Sequence, residues 1–167
     1  MKNTTQRVVM ASLLAALTCV ATMLIRIPSP FKGYINLGDC VVLLCGFLLS
    51  PMYGFLAAGI GSALADVFSG YVVYAPVTFA IKGAMALVAY YGYKLLSKRL
   101  KPLPSRICSG VVAELLMVAG YFVFEGFLYG FVPSAVNILP NAVQGAVGLI
   151  LGILLVRVFE KSKIKLN

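Results

Sequence analysis

Residues 59–83 read GIGSALADVFSGYVVYAPVTFAIKG, and the fold turns on this stretch. It opens as an apolar, small-residue segment that ends with Asp66, one turn before Ser69-Gly70. Tyr71 to Pro76 form a short aromatic connector. A second apolar segment follows and carries Lys82 about two turns in. A charge inside an apolar segment costs about 2.5–3.5 kcal/mol on membrane-insertion scales. Such groups pair, line a water-filled cavity, or do both. Two roles stay open for Asp66 and Lys82: an ion pair locking two helices together, or direct contact with a ligand.

The rest of the chain fits that lipid setting. Of 167 residues, 61% are hydrophobic and 11% charged, with no His or Trp and a mean hydropathy of +0.98. A soluble domain carries about 25% charged residues. The apolar runs are continuous rather than alternating, which excludes a β-barrel. The expected fold is an all-α integral membrane protein, one six-transmembrane-helix bundle over residues 1–167.

A net charge of +9 raises the question of nucleic acid, but the positions answer it. Lys94, Lys98, Arg99, Lys101 and Arg106 cluster in one loop, and Arg157, Lys161, Lys163 and Lys165 at the C-terminus. That is the positive-inside pattern, with anionic lipid heads as the partners. Cys19, Cys40, Cys45 and Cys108 form no C-x-x-C, and without His no zinc or haem site is expected. No cofactor is implied. Lys2 and Arg7 before an apolar run resemble a signal peptide. The run reaches Ile25, long enough to span, so it reads as a retained first helix.

Six helices are expected, at about 6–25, 39–50, 52–68, 76–96, 106–129 and 137–156. Two prolines and two glycines make residues 26–38 a loop. Asp39 is the expected N-cap of the short second helix. Helix 3, with its stripe of Ala57, Gly61 and Ala65, is expected at the centre of the bundle. Ala11-x-x-x-Ala15 on helix 1 permits close helix approach, within the bundle or to a partner. With both termini cytoplasmic, Lys2, Arg7 and the two basic clusters put eleven of the fourteen Lys and Arg inside. Arg26 and Lys32 lie outside, and Lys82 lies in the membrane.

This topology gathers polar residues at one depth near the outer face. They are Asp39, Asp66, Thr78, Lys82, Tyr121, Glu125, Tyr129, Asn137, Asn141 and Gln144. The pattern points to a pocket open to the outside. Tyr34, Tyr71 and Tyr74 in the outer loops are placed to stack on a ring-shaped ligand or to form the interfacial aromatic belt. There is no Ser–His–Asp set, metal motif or Walker A sequence, so ATP energy must come from a partner.

The segments Gly33-Tyr34-Ile35-Asn36-Leu37-Gly38-Asp39, Gly61-Ser62-Ala63-Leu64-Ala65-Asp66, Gly70-Tyr71 and Pro76-x-Thr78-x-x-x-Lys82-Gly83, with Ala11-x-x-x-Ala15, resemble the S components of energy-coupling factor (ECF) transporters. Within that family the chain is similar to the riboflavin-type subgroup, which includes hydroxymethylpyrimidine and pyridoxine members. The resemblance implies a non-enzymatic, high-affinity vitamin binder in the cell membrane. Its partners would be a transmembrane T subunit, met through Ala11 and Ala15, and two cytoplasmic ATPases. The implied ligand-binding residues are Asn36, Tyr74, Thr78, Lys82, Tyr121, Glu125, Asn141 and Gln144, with Asp39 and Asp66 as structural pair or pocket. A pyridine or pyrimidine vitamin is preferred over riboflavin. Two other classes are weighed beside it: an intramembrane enzyme using Glu114 or Glu125, and an assembly subunit with no ligand.

Overall fold

The computed structural model describes residues 3–29 and 34–161. Lys2, Lys32, Gly33, Lys163 and Lys165, used above for topology and resemblance, lie outside the described residues. The elements are α1 (Thr4–Leu24), β1 (Arg26–Pro28), β2 (Tyr34–Asn36), α2 (Gly38–Leu48), α3 (Pro51–Phe68), α4 (Ala75–Leu96), α5 (Pro102–Tyr129), α6 (Phe131–Val136) and α7 (Ile138–Lys161). Five long helices and the shorter α2 form the expected six-helix membrane bundle, and α6 is a short lead-in to α7. Among the described residues, α1, α3, α5 and the α6–α7 unit are long and apolar enough to cross a membrane.

Proline sets several starts, because its missing N–H costs nothing in a first turn. Pro51 opens α3, Pro76 lies in the first turn of α4, and Pro102 opens α5. Helix 5 therefore begins four residues earlier than the basic-loop reading placed it. Two turns need a positive φ. Gly70 (83°) ends α3, and Gly130 (93°) separates α5 from α6.

The central helix is α2, not α3. Every residue from Gly38 to Leu48 is buried, as suits a helix apolar on all sides. Helix α3 instead presents Met52, Leu56, Ile60, Leu64 and Phe68 outward and buries its small-residue face. A methyl on Gly61 would lie 2.3 Å from the Ala15 carbonyl oxygen, and one on Gly46 2.6 Å from that of Ala86. The small residues thus set the spacings of α1–α3 and α2–α4.

At 11 residues, α2 spans only about 16 Å. Its start lies deep because β1 and β2 pair antiparallel, Arg26 opposite Asn36, and β2 carries the chain inward before the helix begins. The expected loop is thus a small ladder. Asp39 is also not the N-cap. That position is Leu37, with no side-chain cap, and Asn36 Oδ1 accepts the Gly38 N–H at 2.8 Å. The Asp39 carboxylate is engaged elsewhere.

At the opposite end of the bundle, Arg106 binds both oxygens of Glu160 (2.5 and 3.1 Å) and stacks on Tyr93 at 4.9 Å. That joins α4, α5 and α7 beside the basic α4–α5 turn. The start of α1 and the end of α7 lie at this basic end.

Candidate functional site

Where α2 starts deep, the surrounding helices rise past it and leave a narrow cleft with about 40 Å³ of water-accessible space. Its lining residues come from the β1–β2 strap (Ser29, Tyr34, Asn36), the α3–α4 corner (Asp66, Tyr71, Tyr74, Thr78), α5 (Tyr121, Glu125) and the α6–α7 unit (Asn137, Asn141, Gln144). Seven of the eight expected ligand-binding residues are among them; Lys82 is not.

Lys82 lies beneath the cleft. Its Nζ binds Asp39 Oδ1, and the two side chains are 4% and 0% exposed. Of the two roles left open for Lys82, an ion pair with Asp66 or contact with a ligand, the structure shows an ion pair, but with Asp39, because the deep start of α2 brings Asp39 to the level of Lys82. The Lys82 ammonium also sits 5.5 Å from the Tyr121 ring centre. Gln144 Nε2 donates to Asp39 Oδ2 at 2.6 Å, and Gln144 Oε1 accepts from Asn36 N (2.9 Å) and Nδ2 (3.2 Å). This network ties β2, α2, α4 and α7 into the floor. Gln144 is thus already committed to protein partners, whereas the Asn141 amide, a turn further out, has none among the described residues.

The walls carry two carboxyls. Glu125 Oε2 accepts from Asn137 Nδ2 at 2.9 Å, and Tyr74 OH points at Oε1 from 3.4 Å. Asp66 Oδ1 accepts from Tyr34 OH at 2.7 Å, while its Oδ2 is buried without a partner. Burial, then the Asp66 charge, hold the Tyr34 hydroxyl above the usual tyrosine range, so it stays a donor. Thr78 Oγ1 and Tyr121 OH share a 3.0 Å hydrogen bond. Along the rim, Tyr34, Tyr71, Tyr74 and Phe124 form a chain of ring contacts at 4.9, 6.0 and 5.3 Å.

Sequence reasoning left Ser29 out entirely, and it placed Tyr34, Tyr71 and Asn137 nearby without assigning them to the site. Ser29 donates to Asn137 Oδ1 across the cleft. Its only sequence signal is its position between Pro28 and Pro30, and strand pairing alone brings it here. Asn137 had a signal, its helical spacing from Asn141 and Gln144.

Glu114 does not line the cleft. It is buried against Gly145 and Gly148 of α7, and neither carboxyl oxygen has a partner. It lies eleven residues from Glu125 on α5, about 16 Å along the axis. The two do not form an acid–base pair.

Away from the cleft, Ala11 and Ala15 line an apolar groove between α1 and α3, with Ser12, Cys19, Leu56, Ile60 and Leu64 among its walls. Both alanines are half-buried, and Ala15 also takes the close approach of Gly61.

Comparison with known proteins agrees with this architecture. A Pyrococcus woesei protein, described as "Uncharacterized protein in gap 3'region", is 37% identical over 134 residues, covering 80% of this chain and 87% of its own. A solved chain reported under "Structure and mechanism of the S component of a bacterial ECF transporter" superposes with a TM-score of 0.77 at 26% identity, covering 95% of this chain and 98% of its own. Residues 2–161 match the family described as "ECF-type riboflavin transporter, S component". From the six-helix bundle, the deep cleft and a match along nearly its whole length, this chain belongs to that family of multi-pass membrane proteins, the substrate-binding subunits of ECF transporters.

Proposed function

We propose that the chain captures a small, water-soluble vitamin or precursor of the pyridine or pyrimidine type in the cleft and delivers it to an ECF complex. The observation that carries this is the lining of the cleft: hydroxyls, amides and carboxyls from four parts of the chain on its walls, and a chain of aromatic rings along its rim. Riboflavin is the second reading, favoured by the family's description. A transmembrane T subunit docks on the α1 groove at Ala11 and Ala15, and two cytoplasmic ATPases supply the energy. The cleft opens outward and the basic end faces the cytoplasm, by the excess of Lys and Arg there.

The test is native mass spectrometry of the detergent-purified chain, with extraction of any bound molecule, followed by calorimetry with pyridoxine, hydroxymethylpyrimidine and riboflavin. Tight binding of one of the first two supports the reading. Tight binding of riboflavin alone replaces it with the second. A folded protein that binds none of the three argues for an assembly role.

A further inference from the structure

The ionisable groups around the cleft are of one kind. Among the described residues, no lysine or arginine lines it, while two carboxyls do. Asp66 comes from α3 and Glu125 from α5, on either side of α4. They are 5% and 3% exposed. Lys82, the cation buried beneath the cleft, is bound to Asp39 and sits 5.5 Å from the Tyr121 ring centre. Its direct ion pair is with Asp39 and not with either cleft carboxyl.

The acceptors are also only partly used. Asp66 Oδ2 is buried with no hydrogen-bond partner, and Glu125 Oε1 has only the 3.4 Å contact from Tyr74. An unsatisfied buried acceptor costs about 1–3 kcal/mol, more when charged. One unsatisfied acceptor and one long, weak hydrogen bond on the same cleft are explained most simply as places where a ligand donates. The other groups lining the cleft are neutral hydroxyls and amides, and the tyrosine ring faces favour a cation.

We infer that the cleft selects a ring ligand bearing a positively charged, hydrogen-donating nitrogen, accepted by Asp66 Oδ2, with Glu125 as the second acceptor. The inference rests on the vitamin-binding reading and narrows it. A protonated ring nitrogen or an aminomethyl group meets the requirement, and a neutral ring rich in acceptors does not.

The experiment compares probes of nearly equal shape and different charge by calorimetry on the purified full chain. The pairs are pyridoxamine with pyridoxine, and the aminomethyl with the hydroxymethyl form of 4-amino-2-methylpyrimidine. The expected result is that the cationic member of at least one pair binds about 10- to 150-fold tighter, the range for a hydrogen bond to a charged group. Asp66→Asn, which keeps the Oδ1 acceptor for Tyr34, should remove most of that preference while the neutral member still binds. Glu125→Gln should reduce it in a separate protein. Equal binding of both members, tighter binding of the neutral member, or a preference unchanged in both variants overturns this inference and leaves the vitamin reading standing. No binding by any probe, riboflavin included, overturns both.

Discussion

Lys82 and Asp39 meet where neither can be solvated, so each depends on the other. Removing one partner of a buried pair costs about 3–5 kcal/mol, because the other charge stays behind. Lys82→Ala should therefore lower stability by that amount in a denaturation series. Asp39→Asn added to it should restore part of the loss, whereas Asp66→Asn should not. The reverse outcome would restore the Asp66 pairing inferred from sequence. Asn141 is the opposite case, a cleft amide with no protein partner among the described residues. Asn141→Ala should leave folding intact and weaken vitamin affinity roughly 5- to 150-fold, measured by calorimetry. Gln144→Ala should cost stability first, since its amide bridges Asn36 and Asp39. The residue types that mark the site were legible in the sequence. Their division into floor and free wall was not, because it depends on how deep α2 begins.

Helix contacts in this bundle are set by small residues. Between apolar helices in lipid there is no hydrophobic drive to associate, so close packing carries the association. A methyl on Gly46 would sit 2.6 Å from the Ala86 carbonyl oxygen and 2.8 Å from Ala89 Cβ. Gly46→Ala should thus destabilise by about 1–3 kcal/mol, as overpacking does, read from the loss of helical signal on heating. Gly70→Ala, with nothing within 4 Å, tests only the strain of its positive φ and should not change helix spacing. The α1–α3 groove supports a different expectation. Ala11→Trp fills it from the exposed side, far from the cleft. It should abolish uptake by the assembled transporter in vesicles and leave ligand affinity unchanged. Equal loss of both would make Ala11 a packing residue only.

At the scale of the whole molecule, the described helical ends and the basic α4–α5 turn gather at one end and the cleft at the other. Cysteine labelling tests the orientation. Leu100→Cys in a Cys108→Ser background should react with an impermeant maleimide only after the membrane is opened. Reaction from outside in intact cells would invert the topology and put the cleft on the wrong face for uptake.

The sequence by itself determined the class, the helix count and the end at which polar groups gather. Those features follow from local composition: apolar runs of spanning length, loop prolines, and basic clusters on one side. The resemblance of its motifs to ECF S components was legible too, since Gly38-Asp39 or Pro76-x-Thr78-x-x-x-Lys82 can be read along the chain. Only the tertiary structure decided which charges pair, which helix is central and what closes the cleft. Asp66 is nearer Lys82 in sequence, which makes it the candidate partner in the ion-pair alternative. The antiparallel pairing of residues 26–28 with 34–36 sinks the start of α2 by several residues and carries Asp39 to Lys82. The depth of a helix start depends on long-range strand pairing, which leaves no periodic signal in the residues it displaces.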